Sequence, residues 1–156
     1  MSNHVIECFH KSDLKAVHDL IHNTIDVCYT PVYPERAVEY FKTLNTYEAI
    51  LSRSESGTTY VAKDEAGIVG TGSVKENEVY AVFVSPALQR KGVGRALMTA
   101  LEKIARLDGY STSSLSVSLP SKPFYESLGY RNFEEQIIDV GNGQSLEYWQ
   151  ATKPLQ

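Results

Sequence analysis

The chain has 156 residues, about the size of one domain, with 42% apolar and 22% charged residues, proportions that exclude a disordered or fibrous chain. A formal net charge of -4 argues against a general nucleic-acid binder, which carries a basic excess. No apolar run approaches the roughly 20 residues that span a bilayer, no cationic start leads into a secretory apolar run, and Cys8 and Cys28 form no CxxC or metal-type cluster.

The expectation is therefore a cytoplasmic protein with two reduced core thiols, no metal, and no nucleic-acid or membrane partner. Residues 5–9 are rich in strand formers, and Ser12 or Asp13 can cap a helix behind them. Leu14, Val17, Leu20, Ile21, Ile25 and Cys28 recur at helical spacings. Pro34 suits the first position of a second helix running to about Phe41, because its missing N–H has no partner there. Thr46 can cap a further turn carrying Ile50 and Leu51. His18 and His22 fall one turn apart but lack a third ligand, so they read as surface histidines. Glu35, Glu39 and Glu48 read as a solvated face.

From about Thr58 the period changes to two. Residues 59–62, 68–74 and 78–84 read as an antiparallel meander that Pro86 stops. Val93, Ala96, Leu97, Ala100, Leu101, Ile104 and Ala105 make the apolar stripe of a helix that Gly109 ends. The serine-rich stretch 111–119 reads as strand rather than linker, since Leu115, Val117 and Leu119 alternate with Ser114, Ser116 and Ser118. A short helix over 122–128 ends at Gly129. Two closing strands, 130–140 and 145–151, join through a hairpin turn at Gly141, Asn142 and Gly143. No linker interrupts this order, so residues 1–156 read as a single domain.

The chemistry concentrates in residues 79–101. A buried strand ends, a loop turns, and Gly92 and Gly94 open the amphipathic helix. The free N–H groups of a helix start and the positive end of its dipole form an anion site. Without Cβ atoms, the glycines let a phosphate approach the main chain. Arg90, Lys91 and Arg95 add positive charge. A Walker loop would need GxxxxGK[ST], which is absent, and Leu97 stands where a dinucleotide fingerprint needs its third glycine.

Gln89-Arg90-Lys91-Gly92-Val93-Gly94 resembles the Q/R-x-x-G-x-G/A motif of the GNAT N-acetyltransferase superfamily. Phe83-Val84-Ser85-Pro86 resembles that family's preceding strand and proline corner, and Phe124-Tyr125-Glu126-Ser127-Leu128-Gly129-Tyr130 its FYxxLGF/Y signature. The resemblance implies an α/β (α+β) acyl-CoA N-acyltransferase fold: a mixed, mostly antiparallel sheet of six to seven strands with about four helices. It implies acetyl-CoA as co-substrate, gripped at the pyrophosphate by Gln89, Arg90, Lys91, Gly92, Val93, Gly94, Arg95 and Ala96. The main chain of Val82, Phe83 and Val84 would pair with the pantetheine arm as a strand edge pairs with an added strand. The Val82 amide would polarise the thioester carbonyl in the gap between two splayed strands.

Tyr125 holds the motif position of the general acid, a phenol that protonates the leaving thiolate. Glu78 is the candidate base, four residues before Val82 and so on the same strand face; a water chain or Glu76 is the alternative. Ser118 and Ser121 stand where much of the family has Asn and Ala, and Ser118 could keep one bond to the pantetheine arm. Tyr29 and Tyr33, with Tyr40, Phe41 and Tyr47, fall in the segment that walls the acceptor site in this family; packing of the helix pair is the competing account. The implied reaction is acetyl transfer to a primary amine of a small molecule, by direct attack in a ternary complex. A protein acetyltransferase acting on lysine or an N-terminal amine, and a non-catalytic coenzyme A sensor, are the alternatives. Homodimers are common in the family.

Overall fold

The computed structural model describes residues 4–156. The period-two segments form one seven-stranded sheet in the order β1-β2-β3-β4-β5-β7-β6. Strands β1 (Val5–Cys8), β2 (Thr58–Asp64), β3 (Gly67–Lys75) and β4 (Glu78–Val84) run antiparallel to one another. Strand β5 (Thr112–Ser118) pairs antiparallel with β7 (Gln144–Pro154), and β7 with β6 (Arg131–Gly141). The two half-sheets meet in parallel at one register pair, Glu78 with Ser114, and β4 and β5 diverge beyond it.

Helices α1 (Leu14–Thr24), α2 (Glu35–Thr43) and α3 (Tyr47–Ser56) cover one face, where Val17, Ile21, Ile25, Ile50, Phe83 and Leu146 share a core. Helices α4 (Val93–Leu107) and α5 (Lys122–Ser127) cover the other. In α4 the predicted stripe is buried at Val93, Leu97, Leu101 and Ala105, with Met98 beside them. Each large side chain so buried contributes roughly 1.5–3 kcal/mol.

The resembled fold is present, with five α-helices among the described residues against the expected four or so. Thr46 does cap α3, its hydroxyl accepting from the Ala49 N–H at 3.1 Å. Pro34 stands one place before α2 in extended backbone, and its carbonyl accepts from Ala37 and Val38. The expected pair of core thiols is corrected: Cys8 is exposed on edge strand β1, and Cys28 is half-buried. Both are free. No helix among the described residues is long and apolar enough to cross a membrane.

Two irregularities sit side by side where the half-sheets diverge. First, α1 gives way to a wider π turn over Ile25–Tyr29. Second, β4 carries a bulge. Tyr80 pairs with Ser73 and Phe83 with Thr71, so Ala81 and Val82 together oppose Gly72. Ala81 adopts φ 53°, a left-handed conformation that costs a non-glycine residue about 1–2 kcal/mol. The extra residue re-phases the strand. Val79, Val82 and Val84 pack on the α4 side, while Ala81 and Phe83 join the core beneath α1.

Candidate functional site

Where β4 and β5 part, a cleft of about 590 Å³ opens between the end of β4, the loop into α4, the π turn and α5. Bulges and π turns recur at functional sites because they re-aim side chains. The β4 edge facing the gap has no strand partner after the Glu78–Ser114 pair among the described residues. Such an edge is a template for an added extended chain.

The loop into α4 is held from below. The Ser85 N–H donates to Val69 at 2.8 Å and Leu88 to Ser85 at 2.9 Å. The Gln89 amide donates to the Val84 carbonyl at 3.1 Å and lies 3.6 Å from Cys28 Sγ, tying loop, strand and π turn together. Gly92 adopts φ 91° immediately before α4, a left-handed conformation natural to glycine. Val93 turns inward and is buried, so any ligand contact there is made by main chain.

Gly94 has a different reason to be glycine. A Cβ on it would meet the Phe124 ring at 2.9 Å, so α4 and α5 approach closely across the cleft floor. The sequence reading gave this glycine to a phosphate; its tightest neighbour is an aromatic ring.

Of the expected cofactor-side residues, Val82, Phe83, Val84, Gln89, Arg90, Gly92, Gly94, Arg95 and Ser121 line the cleft. Lys91, Val93, Ala96 and Ser118 lie outside that lining. Ser118 is buried behind it, its hydroxyl 2.7 Å from that of Ser121. Pro120 and Pro123 also line the wall, and sequence reasoning missed both.

Tyr125 lines the cleft and is only 7% exposed. Burial pushes its phenol well above the usual range, and the neighbouring Tyr29 adds to the rise. Its position is fixed at the C-terminus of α5. The N–H groups of Tyr130 and Gly129 donate to the carbonyls of Tyr125 and Glu126, both at 3.1 Å, a closure that needs the left-handed Gly129 at φ 100°. Lys122, one turn earlier, lies 4.8 Å from the Trp149 ring and 5.2 Å from that of Phe133, which pins α5 to β7 and β6.

Glu78 is exposed, at the root of the divergence rather than in the cleft. The same-face argument for it fails, because the bulge lies between Glu78 and Val82. Tyr29 and Tyr33 also separate. Tyr29 lines the cleft from the π turn, and burial raises its phenol above the usual range. Tyr33 does not line the cleft. Its hydroxyl donates to the Glu147 carbonyl at 2.7 Å and accepts from the Leu119 N–H at 2.9 Å, so it fastens the α2 side to the far half-sheet. Tyr40 and Phe41 pack against the same core, whereas Tyr47 is exposed and stacks on His18 at 4.1 Å. His18 stacks on His22 at 4.0 Å, and His22 Nε2 lies 2.8 Å from the Asn45 carbonyl oxygen.

A model of the acetyltransferase (GNAT) domain matches residues 29–142. The chain belongs to the GNAT acetyltransferase family. Among curated proteins, it is 31% identical over 97 residues to the uncharacterized N-acetyltransferase YafP of Escherichia coli K12, covering 61% of this chain and 60% of that one. It is 41% identical over 56 residues to glucosamine 6-phosphate N-acetyltransferase of Trypanosoma brucei brucei, covering 36% of this chain and 38% of that one. These matches thus span about three-fifths and two-fifths of the relatives' own lengths. Among solved structures, a GCN5-related N-acetyltransferase from Rhodopseudomonas palustris superposes with a TM-score of 0.89 at 22% identity, over 99% of this GNAT chain and 98% of that one. The PaiA N-acetyltransferase of Thermoplasma acidophilum, solved in complex with coenzyme A, gives 0.75 at 19% identity, over 97% and 99%. At these identities the two structures speak for the fold.

Proposed function

We propose that this GNAT protein is an N-acetyltransferase that moves the acetyl group of acetyl-CoA to a primary amine of a small molecule, by direct attack in a ternary complex. One observation carries the reading: a single cleft brings together the glycine loop, the unpaired edge of β4 and the Tyr125 phenol. Its chemistry fits the co-substrate. Arg90 and Arg95 stand by the left-handed Gly92 at the α4 N-terminus, where a diphosphate gains main-chain donors and charge together. Val82 to Val84 offer an open edge to the amide-bearing arm. Similarity to a glucosamine 6-phosphate N-acetyltransferase over 56 residues supports a small amine as acceptor.

The bound thioester supplies an activated acyl carbon. The Val82 N–H stabilises the oxygen on which charge develops, and Tyr125 gives the departing sulfur its proton. Glu78 stands outside the lining of the cleft, so the proton of the attacking nitrogen would leave through a water chain rather than by direct contact with that carboxylate. Calorimetry with coenzyme A and acetyl-CoA, followed by a thiol-release assay across amines and peptides, tests the reading. Binding with release driven by small amines is the expected result. Failure of both cofactor forms to bind removes the assignment, and release driven by peptides alone moves the acceptor to proteins.

A further inference from the structure

The bulge in β4 is shaped by a residue on the neighbouring strand. Ala81 and Val82 together oppose Gly72 of β3, and the pairs on either side are Ser73 with Tyr80 and Thr71 with Phe83. Gly72 is not among the residues at positive φ, so its lack of a side chain answers to space and not to conformation. A Cβ on it would meet Leu101 Cδ1 of α4 at 2.8 Å and Val82 Cγ2 at 3.2 Å, with the Val82 Cα at 3.8 Å.

Strand β3 is poorly placed to yield to such a Cβ. The Thr71 hydroxyl donates to the Tyr60 carbonyl at 3.0 Å, and the Ser73 and Thr59 hydroxyl oxygens lie 2.8 Å apart, which ties β3 to β2 on both sides of Gly72. Leu101 is fully buried. Val82 is the neighbour least held, since it has no register partner on β3 and its strand edge faces the open gap. A methyl at position 72 would therefore push Val82 toward the cleft by a few tenths of an ångström. Gly70, two places earlier, is the contrast. The nearest neighbours of a Cβ there would be Leu97 and Val93 of α4, each at 3.0 Å, and the Phe83 carbonyl oxygen at 3.4 Å.

We propose that Gly72 is a positioning residue for acetyl transfer: the space it leaves lets Val82 settle against β3, and so sets where the Val82 N–H meets the thioester oxygen. The proposal rests on the acetyltransferase reading for the task of that amide, and on the close approach of Gly72 and Val82 for its geometry. Gly72 lies outside the lining of the cleft, so it acts through Val82. An oxyanion donor works through geometry fixed before the substrate arrives. Its displacement weakens the transition state more than the bound ground state, so the loss belongs in kcat.

The test uses the full chain in a Leu101→Val background, which withdraws the methyl that a Cβ at position 72 would meet first. In thiol release from acetyl-CoA, Gly72→Ala/Leu101→Val is expected to show kcat about tenfold below Leu101→Val alone, with KM for acetyl-CoA within about twofold. Gly70→Ala, which crowds α4 instead, is expected to keep kcat within about twofold of the unsubstituted protein. When Val82→Ala is present in both members of the first comparison, the kcat loss is expected to shrink to less than about twofold, because the Cγ2 contact is gone. An unchanged kcat in the first comparison overturns the proposal, as does a loss that persists in full with Val82→Ala. The 15N–H resonance of Val82 gives a readout independent of turnover. It is expected to move between Leu101→Val and Gly72→Ala/Leu101→Val, and a stationary resonance also overturns the proposal. Uptake of acetyl-CoA without thiol release to any amine ends the transferase reading instead, and the resonance still decides whether Gly72 places the Val82 amide.

Discussion

Tyr125 and Gly94 each hold their place for a reason that a single substitution exposes. Removing the Tyr125 hydroxyl leaves the ring in its packing against Phe124 and Tyr130, at centroid distances of 5.1 and 5.7 Å. Tyr125→Phe is therefore expected to fold and to bind acetyl-CoA normally while kcat falls about 100-fold, the usual weight of a general acid. Calorimetry beside steady-state assay checks both halves. Gly94→Ala acts through shape. Its methyl would need the space of the Phe124 ring at 2.9 Å, and that ring lines the cleft. We expect a loss of acetyl-CoA affinity of about tenfold, or roughly 1.4 kcal/mol, with kcat at saturation less affected. An unchanged affinity would mean that the ring moves aside freely. The motif spacing made Tyr125 and the glycines legible in the sequence. It could not tell Gly94 as a packing residue from Gly94 as a phosphate contact, because the partner, Phe124, lies 30 positions away in the chain.

At the scale of elements, periodicity located every strand and helix of the sheet's core, and its errors have physical sources. A bulge inserts one residue without changing composition, so nothing at Ala81 announced that Glu78 and Val82 would part company. The π turn likewise keeps a helical pattern while turning Tyr29 into the cleft. Tyr29 and Tyr33 were indistinguishable in the sequence because their difference lies in what their hydroxyls meet across the sheet. For Tyr33 that difference is one of stability. Tyr33→Phe strands the Leu119 N–H and the Glu147 carbonyl, and the loss of a donor or acceptor partner costs about 1–3 kcal/mol. Burial pushes the Tyr33 phenol up to about 12. The folded protein therefore holds this proton more tightly than the unfolded chain, whose tyrosines titrate near 10. The stability it contributes is full below about pH 10 and drains away as the pH rises through about 12. Urea melts between pH 8 and 11.5 are expected to show falling stability, with a shallower fall in Tyr33→Phe. A fall of equal slope in both proteins would put the loss on other groups.

Over the whole molecule, two half-sheets touch through one parallel pair and must be held together by what packs across them. One such tie is polar and buried. Glu102 of α4 accepts from the Tyr130 hydroxyl and from Lys153 of β7, each at 2.8 Å, and the Tyr130 hydroxyl lies 2.8 Å from that of Ser113 of β5. Glu102 is 8% exposed and Ser113 fully buried. The Lys153 side chain is about a quarter exposed and can turn to water, so Glu102→Ala is expected to cost about 1–3 kcal/mol in denaturant unfolding, chiefly through the acceptor lost by the buried Tyr130 hydroxyl. Replacing both charges, Glu102→Leu with Lys153→Met, removes the desolvation penalty along with the attraction and is expected to recover part of that loss. If the double substitution is as damaging as the single one, the tie works by orienting its hydrogen bonds rather than by balancing charge. The cleft offers a second clamp across the same divide, since β4 lies in one half-sheet's wall and α5 in the other's. Acetyl-CoA at a hundred times its Kd would add about 2.7 kcal/mol to the folded state. That increment is expected to be the same in the unsubstituted protein and in the double variant. A smaller increment in the variant would show that the polar tie also sets the width of the cleft.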